Sequence, residues 1–208
     1  MTIVFQDEHL VVVDKPSGFL SVPGRGPEKI DSVVHRIRLA NPGCLTHPAV
    51  HRLDMDTSGL LVLAFTAEAH RALSIQFQNR EPKKIYQALL DGEPEDDEGT
   101  ITLPFRLDIE NRPYQIYDEV HGKIGITRWR KLAVENGITR VHFEPLTGRT
   151  HQLRVHAAHP KGLGTPIVDD PLYGHGHDPG KMKLHAASLT FRHPVSNETL
   201  TFTSPVPF

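Results

Sequence analysis

The 208 residues are enough for one domain, at most two lobes, with a core that needs no disulfide or metal to hold it. A single cysteine, Cys44, excludes an internal disulfide and favours a reducing compartment, while 38% hydrophobic and 23% charged residues exclude the disordered and fibrous classes. No stretch approaches the ~20 apolar residues of a membrane span, and a net charge of −2 excludes the uniformly basic class of nucleic-acid binder.

In chain order, Ile3 to Phe5 and Leu10 to Val13, split by Gln6-Asp7-Glu8, predict an opening hairpin that ends at Lys15-Pro16-Ser17-Gly18. The N-terminal segment has no basic, apolar leader pattern, so a cytoplasmic protein is expected. Asp31-Ser32 caps a short helix with Val33, Val34 and Ile37 on one stripe, stopped at Asn41-Pro42. Next, His51-Arg52-Leu53-Asp54-Met55-Asp56-Thr57-Ser58-Gly59 sets a base, a cation, carboxylates and a polar turn before Leu60 to Phe65, a short apolar run that reads as a buried strand. Asp54 is therefore expected in a loop anchored at one end by the core. Thr66 caps a second helix with Ala69, Leu73 and Phe77 inward, and Ile85 to Leu90 and Thr100 to Leu103 read as strands. Thr127 to Leu132 and Ile138 to Phe143 flank Asn136-Gly137 as a further hairpin. A helix over Thr150 to Ala158 follows, then closing strands at Leu189 to Phe191 and Thr199 to Phe202. Many strands, few helices and no regular βαβ alternation give an α+β fold, with a largely antiparallel or mixed sheet, flanking helices and a cleft across the sheet.

Metal chemistry does not fit these patterns. Asp54, Asp56, Ser58 and Gly59 resemble the opening of a calcium loop, but the twelfth position, which needs a carboxylate, is Phe65. The 14 histidines also lack ligand spacing: His151 and His156 are five apart, and His175-Gly176-His177 has no cysteine or carboxylate partners at metal-ligand spacing. No metal and no cofactor is expected. Cations cluster at Arg36-Ile37-Arg38, Lys83-Lys84, Arg128 to Lys131 and Arg149 to Arg154, so a positive groove is possible despite the neutral sum. An arginine beside a buried aspartate would keep it ionised as a nucleophile, and Asp54 is the best candidate in the chain.

Six separated segments carry a family resemblance: Asp14-Lys15-Pro16-Ser17-Gly18, His51 to Gly59, Lys83-Lys84-Ile85-Tyr86, Gly148 to His156, Pro171-Leu172-Tyr173-Gly174 and Leu184-His185-Ala186. In order and spacing the chain resembles the RluA-type RNA pseudouridine synthases over nearly its whole length. The resemblance implies that Asp54 is the nucleophile, that Arg154 pairs with it, and that Tyr86 stacks on the uracil and serves as a base. It also implies that Arg52 fills the gap left by the flipped nucleotide and that Leu184 packs near the base; His51 and Arg149 join them as substrate-binding candidates. Attack at C1′, addition to the base and a glycal route are all compatible with these residues.

The chain departs from the family pattern at Thr165 and at Asp169, which stands where a glycine precedes aspartate in relatives. No S4-type RNA-binding domain is expected ahead of the first strand, so residues 1–208 form the catalytic domain. The compact branch that this implies acts on a tRNA anticodon stem-loop and a 23S rRNA hairpin, as a monomer without membrane or obligatory protein partner. The alternatives are a synthase acting at another tRNA position, a non-catalytic RNA-binding or RNA-folding module, and a metal-dependent hydrolase.

Overall fold

The computed structural model describes residues 1–208, which fold as two compact units. The first unit holds residues 1–84 and 185–207, the second residues 85–184 and Phe208. The chain crosses from one to the other within strands rather than through linkers, inside β4 (Lys83–Asp91) and at the start of β9 (Leu184–Arg192).

In the first unit β1 (Thr2–Gln6) and β2 (Leu10–Lys15) form the expected hairpin. Its turn is held by Asp7, whose Oδ1 accepts the N–H groups of His9 and Leu10 at 2.7 and 2.9 Å. β2 runs antiparallel to β3 (Ser58–Ala64), from Leu10 opposite Ala64 to Lys15 opposite Gly59. β3 then pairs in parallel with β9, and β10 (Thr199–Thr203) pairs antiparallel with β9, which makes the sheet mixed. Every residue of β3 is buried, the outcome that a continuous apolar strand requires. One face of β2 and β3 packs Leu10, Val12, Leu60 and Val62 against Ala69 and Leu73 of α2 (Ala67–Gln78) and against Leu189 and Phe191. α2 begins at Thr66, whose hydroxyl accepts the Ala69 N–H, and α1 (Val33–Ala40) begins at Ser32 in the same way.

The second unit is an antiparallel sheet in the order β4, β8 (Ile138–Pro145), β7 (Lys123–Glu135), β5 (Glu98–Leu107) and β6 (Gln115–Tyr117). Asn136 and Gly137 both have positive φ, 53° and 77°, as a two-residue hairpin turn of this sequence needs. Leu103, Phe105, Trp129 and Phe143 meet Leu153 and Val155 of α3 (Gln152–Ala158), with Leu184 in the same cluster.

Two local expectations differ from this fold. α3 starts at Gln152 rather than Thr150, because His151 takes a left-handed φ of 55° that no helix continues. β6 gave no sequence signal, since its three residues pair only at the edge of β5 and are too few to show alternation. No helix is long and apolar enough to cross a membrane.

Candidate active site

In the first unit Asp54 sits half-buried at the start of a turn closed by the Thr57 N–H on its carbonyl, 3.2 Å. The loop around it is fixed through its backbone. Ser21 Oγ donates to the Leu53 carbonyl at 2.7 Å and accepts the Leu53 N–H at 3.1 Å. Ser17 donates to the Asp56 carbonyl. Lys15, wholly buried at the end of β2, donates from Nζ to the carbonyls of Pro16, Phe19 and Met55 at 3.0, 2.6 and 2.9 Å. Burial pushes its pKa down to about 8, against the pull of Asp56 and Asp54. The ammonium thus ties two loops together and sets a positive charge under the carboxylates.

His51 closes the other end of the loop. Its Nε2 accepts the Val62 N–H at 3.1 Å and its ring stacks on Phe77, 4.4 Å between centroids. Burial, helped by Lys84, lowers its pKa to about 3, so the ring is neutral at physiological pH. Its work is to hold the loop on β3 rather than to offer a charge. Arg52, next to it, is exposed. Gly59 has φ of 108°, and a Cβ there would lie 2.4 Å from the Ala186 carbonyl oxygen, so glycine is required where the loop enters β3.

In the second unit Tyr86 lies on β4 opposite Phe143, half-buried, and packs against the cluster that contains Leu153 and Leu184. Leu184 is buried at the first position of β9. Arg154, on α3, is also buried, and its guanidinium donates from Nε and Nη2 to Asp170 Oδ2 and Oδ1 at 2.8 and 2.6 Å. The fork geometry is that of a strong bidentate pair. Asp170 has no solvent exposure, and its Oδ1 also accepts the N–H groups of Leu172 and Tyr173 at 2.8 and 3.1 Å. The Tyr173 ring lies 5.3 Å from Arg154 Cζ, and its hydroxyl accepts the Gln115 N–H at 2.8 Å while meeting His151 Nδ1 at 2.8 Å. Arg149 is half-buried and donates from Nε to the Ile124 carbonyl at 3.3 Å.

The sequence singled out Asp54, Tyr86 and Arg154 as candidates but not the groups that hold them. Lys15, Ser17 and Asp170 lie in matched or neighbouring segments, yet nothing in their spacing says that each is a partner of the site. Asp170 directly follows Asp169, whose φ of 59° is left-handed, a conformation that favours glycine. The departure thus leaves the Arg154 partner in place. His151 meets Tyr173 while His156 is buried beside Phe105, so these two histidines do not converge.

The family model described as RNA pseudouridylate synthase matches residues 9–159. A dual-specificity RNA pseudouridine synthase RluA of Haemophilus influenzae is 46% identical, covering 100% of this chain and 94% of that protein. The protein of the same name from Escherichia coli K12 is 43% identical with the same coverage. Among solved structures, human RNA pseudouridylate synthase domain containing 1 superposes with a TM-score of 0.78 at 30% identity, over 100% of this chain and 84% of that one.

Proposed function

The chain belongs to the RNA pseudouridylate synthase family, and on that premise we propose that it isomerises uridine in stem-loops of tRNA and 23S rRNA with Asp54 as the nucleophile. The observation that carries the assignment of Asp54 is the loop itself. Its backbone is bound by Ser21, Lys15 and Ser17 at Leu53, Met55 and Asp56, and Asp54 is the position these ties bracket. Such restraint is what a nucleophile needs if a small displacement is not to cost rate.

The reaction breaks the bond from N1 of uracil to C1′, turns the base and joins C5 to C1′. The C5 proton leaves and N1 gains one, so no redox partner is consumed. The Asp54 carboxylate supplies the negative charge that the sugar requires as the N1 bond opens. Tyr86 and Leu184 offer an aromatic and an aliphatic surface for the freed uracil, and Arg154, held by Asp170 in a buried pair, is a fixed cation of the same unit. A uridine within a stem-loop must leave its stack first, at a cost of a few kcal/mol. Arg52, exposed beside the loop, is the group that fills the gap, and Arg149 contacts the RNA backbone.

The words "dual-specificity" in the names of the relatives support more than one RNA target. The protein acts as a cytoplasmic monomer, with RNA as its only necessary partner. The test is release of tritium from C5-labelled uridine in bulk tRNA and rRNA, followed by mapping of the modified site. Release from both classes at hairpin uridines supports the reading, and RNA binding without release contradicts it.

A further inference from the structure

The parallel pairing of β3 with β9 begins where Ser58, the last polar residue of the Asp54 loop, faces His185, the residue after Leu184. Ser58, His185 and Ser204 are all buried, at 6%, 2% and 6% exposure. They form a line of short contacts. Ser58 Oγ lies 2.9 Å from His185 Nδ1, His185 Nε2 lies 3.0 Å from Ser204 Oγ, and Ser204 Oγ lies 2.5 Å from Asp14 Oδ2.

The chemistry of each group fixes the direction of this line. The Asp14 carboxylate can only accept, so Ser204 spends its one proton there and its oxygen must accept from His185. His185 Nε2 therefore carries hydrogen. The imidazole is held neutral, because burial lowers its pKa although Asp14 and Ser204 favour the charged form. A neutral ring has one N–H, so Nδ1 is bare and the Ser58 hydroxyl donates to it. Asp14, on β2, thus sets the hydroxyl orientation of a residue at the end of the catalytic loop through two intermediate side chains. The ties described above grip the loop by its main chain; this one grips it by a side chain at its C-terminal end.

We propose that His185 is a positioning residue for Asp54: as the Nε2–H tautomer selected by Ser204 and Asp14, it takes the Ser58 proton and holds the loop that ends at Ser58 in one orientation. The assignment rests on the reading of Asp54 as the nucleophile. A merely structural role for His185 would be to tie the segment at Ser204 to the sheet, and the two roles use different ring nitrogens.

Two isosteric substitutions separate them. In His185→Asn the amide oxygen falls near the place of Nδ1 and still accepts from Ser58, but nothing reaches Ser204. In His185→Gln the amide nitrogen falls near the place of Nε2 and still donates to Ser204, but the acceptor for Ser58 is lost. With a stem-loop RNA, kcat of His185→Gln should drop roughly 10- to 100-fold at unchanged KM, and that of His185→Asn should stay within about fivefold of the parent. Thermal denaturation of both variants reports the folded fraction. Equal kcat in the two variants, or losses that follow the folded fraction, would overturn the proposal. Imidazole nitrogen chemical shifts of the unmodified protein give a readout that needs no turnover: a protonated Nε2 and bare Nδ1 on His185 are expected, and the opposite tautomer overturns the proposal. If the parent protein releases no tritium at all, the nucleophile assignment is what has failed, while the shifts still decide the direction of the chain.

Discussion

At Arg52 the physical question is whether an exposed cation beside the loop acts as a wedge or as a phosphate anchor. As a wedge it offsets unstacking, so Arg52→Ala should slow single turnover on a structured stem-loop far more than on an RNA whose target uridine is already unstacked. Equal losses on both, with the salt dependence of binding lowered by roughly one unit, would make it a phosphate anchor. Tyr86 separates in a similar way. Tyr86→Phe keeps the ring that packs against the Leu184 cluster and removes the phenol; turnover should fall sharply with RNA affinity kept if the hydroxyl removes the C5 proton. A mild effect confines Tyr86 to stacking, and a fully active Tyr86→Ala protein would remove it from the site. These residues stand out as candidates in the sequence because their types carry chemistry and their segments match a family. Lys15 and Asp170 were not, because a wholly buried lysine or aspartate runs against the ordinary rule for charges and is revealed only by its partners in the fold.

Among the elements, the run of residues between Asp169 and Gly174 does more than connect strands. It delivers Asp170 to α3, where the carboxylate takes two guanidinium nitrogens of Arg154 in a site without solvent. Removing one member of such a pair costs more than the pair is worth, so Asp170→Ala should lower stability by about 3–5 kcal/mol in urea titrations. Replacing both Arg154 and Asp170 with apolar residues of similar size should cost less stability than Asp170→Ala alone while abolishing turnover. A double variant less stable than Asp170→Ala would refute the view that the pair serves the site at the expense of stability. Caps and periodicity made α1, α2, β3 and the Asn136-Gly137 hairpin readable from the sequence, since each is decided within a few residues. The start of α3 was not readable, because the left-handed His151 is stabilised by Tyr173 and by the Gln152 side chain, which accepts from the Arg149 N–H and Thr147 hydroxyl. Tyr173, Arg149 and Thr147 all lie outside the helix.

Over the whole molecule the order of six matched segments located the family, although the net charge of −2 argued against an RNA-binding protein. Charge totals are averages, and recognition depends on where cations stand. Acid stability is a second property of the whole chain. His51 and His156 titrate near 3 and 4 in the folded state, both lowered from 6.5 chiefly by burial. The unfolded chain binds protons at these rings first, so their contribution is complete above about pH 6.5 and is lost as pH falls through the folded values. Urea midpoints should therefore fall between about pH 6.5 and pH 4, and His156→Leu should make that slope shallower; an unchanged slope would mean that His156 does not drive the loss. The central claim, that Asp54 performs the chemistry and is not a structural turn residue, is tested most directly by Asp54→Asn. Tritium release from C5-labelled uridine in a stem-loop RNA should vanish in this variant, with RNA affinity and thermal stability near those of the parent, because the amide keeps the shape of the side chain and loses the nucleophile. Tritium release at a rate near that of the parent would contradict the account.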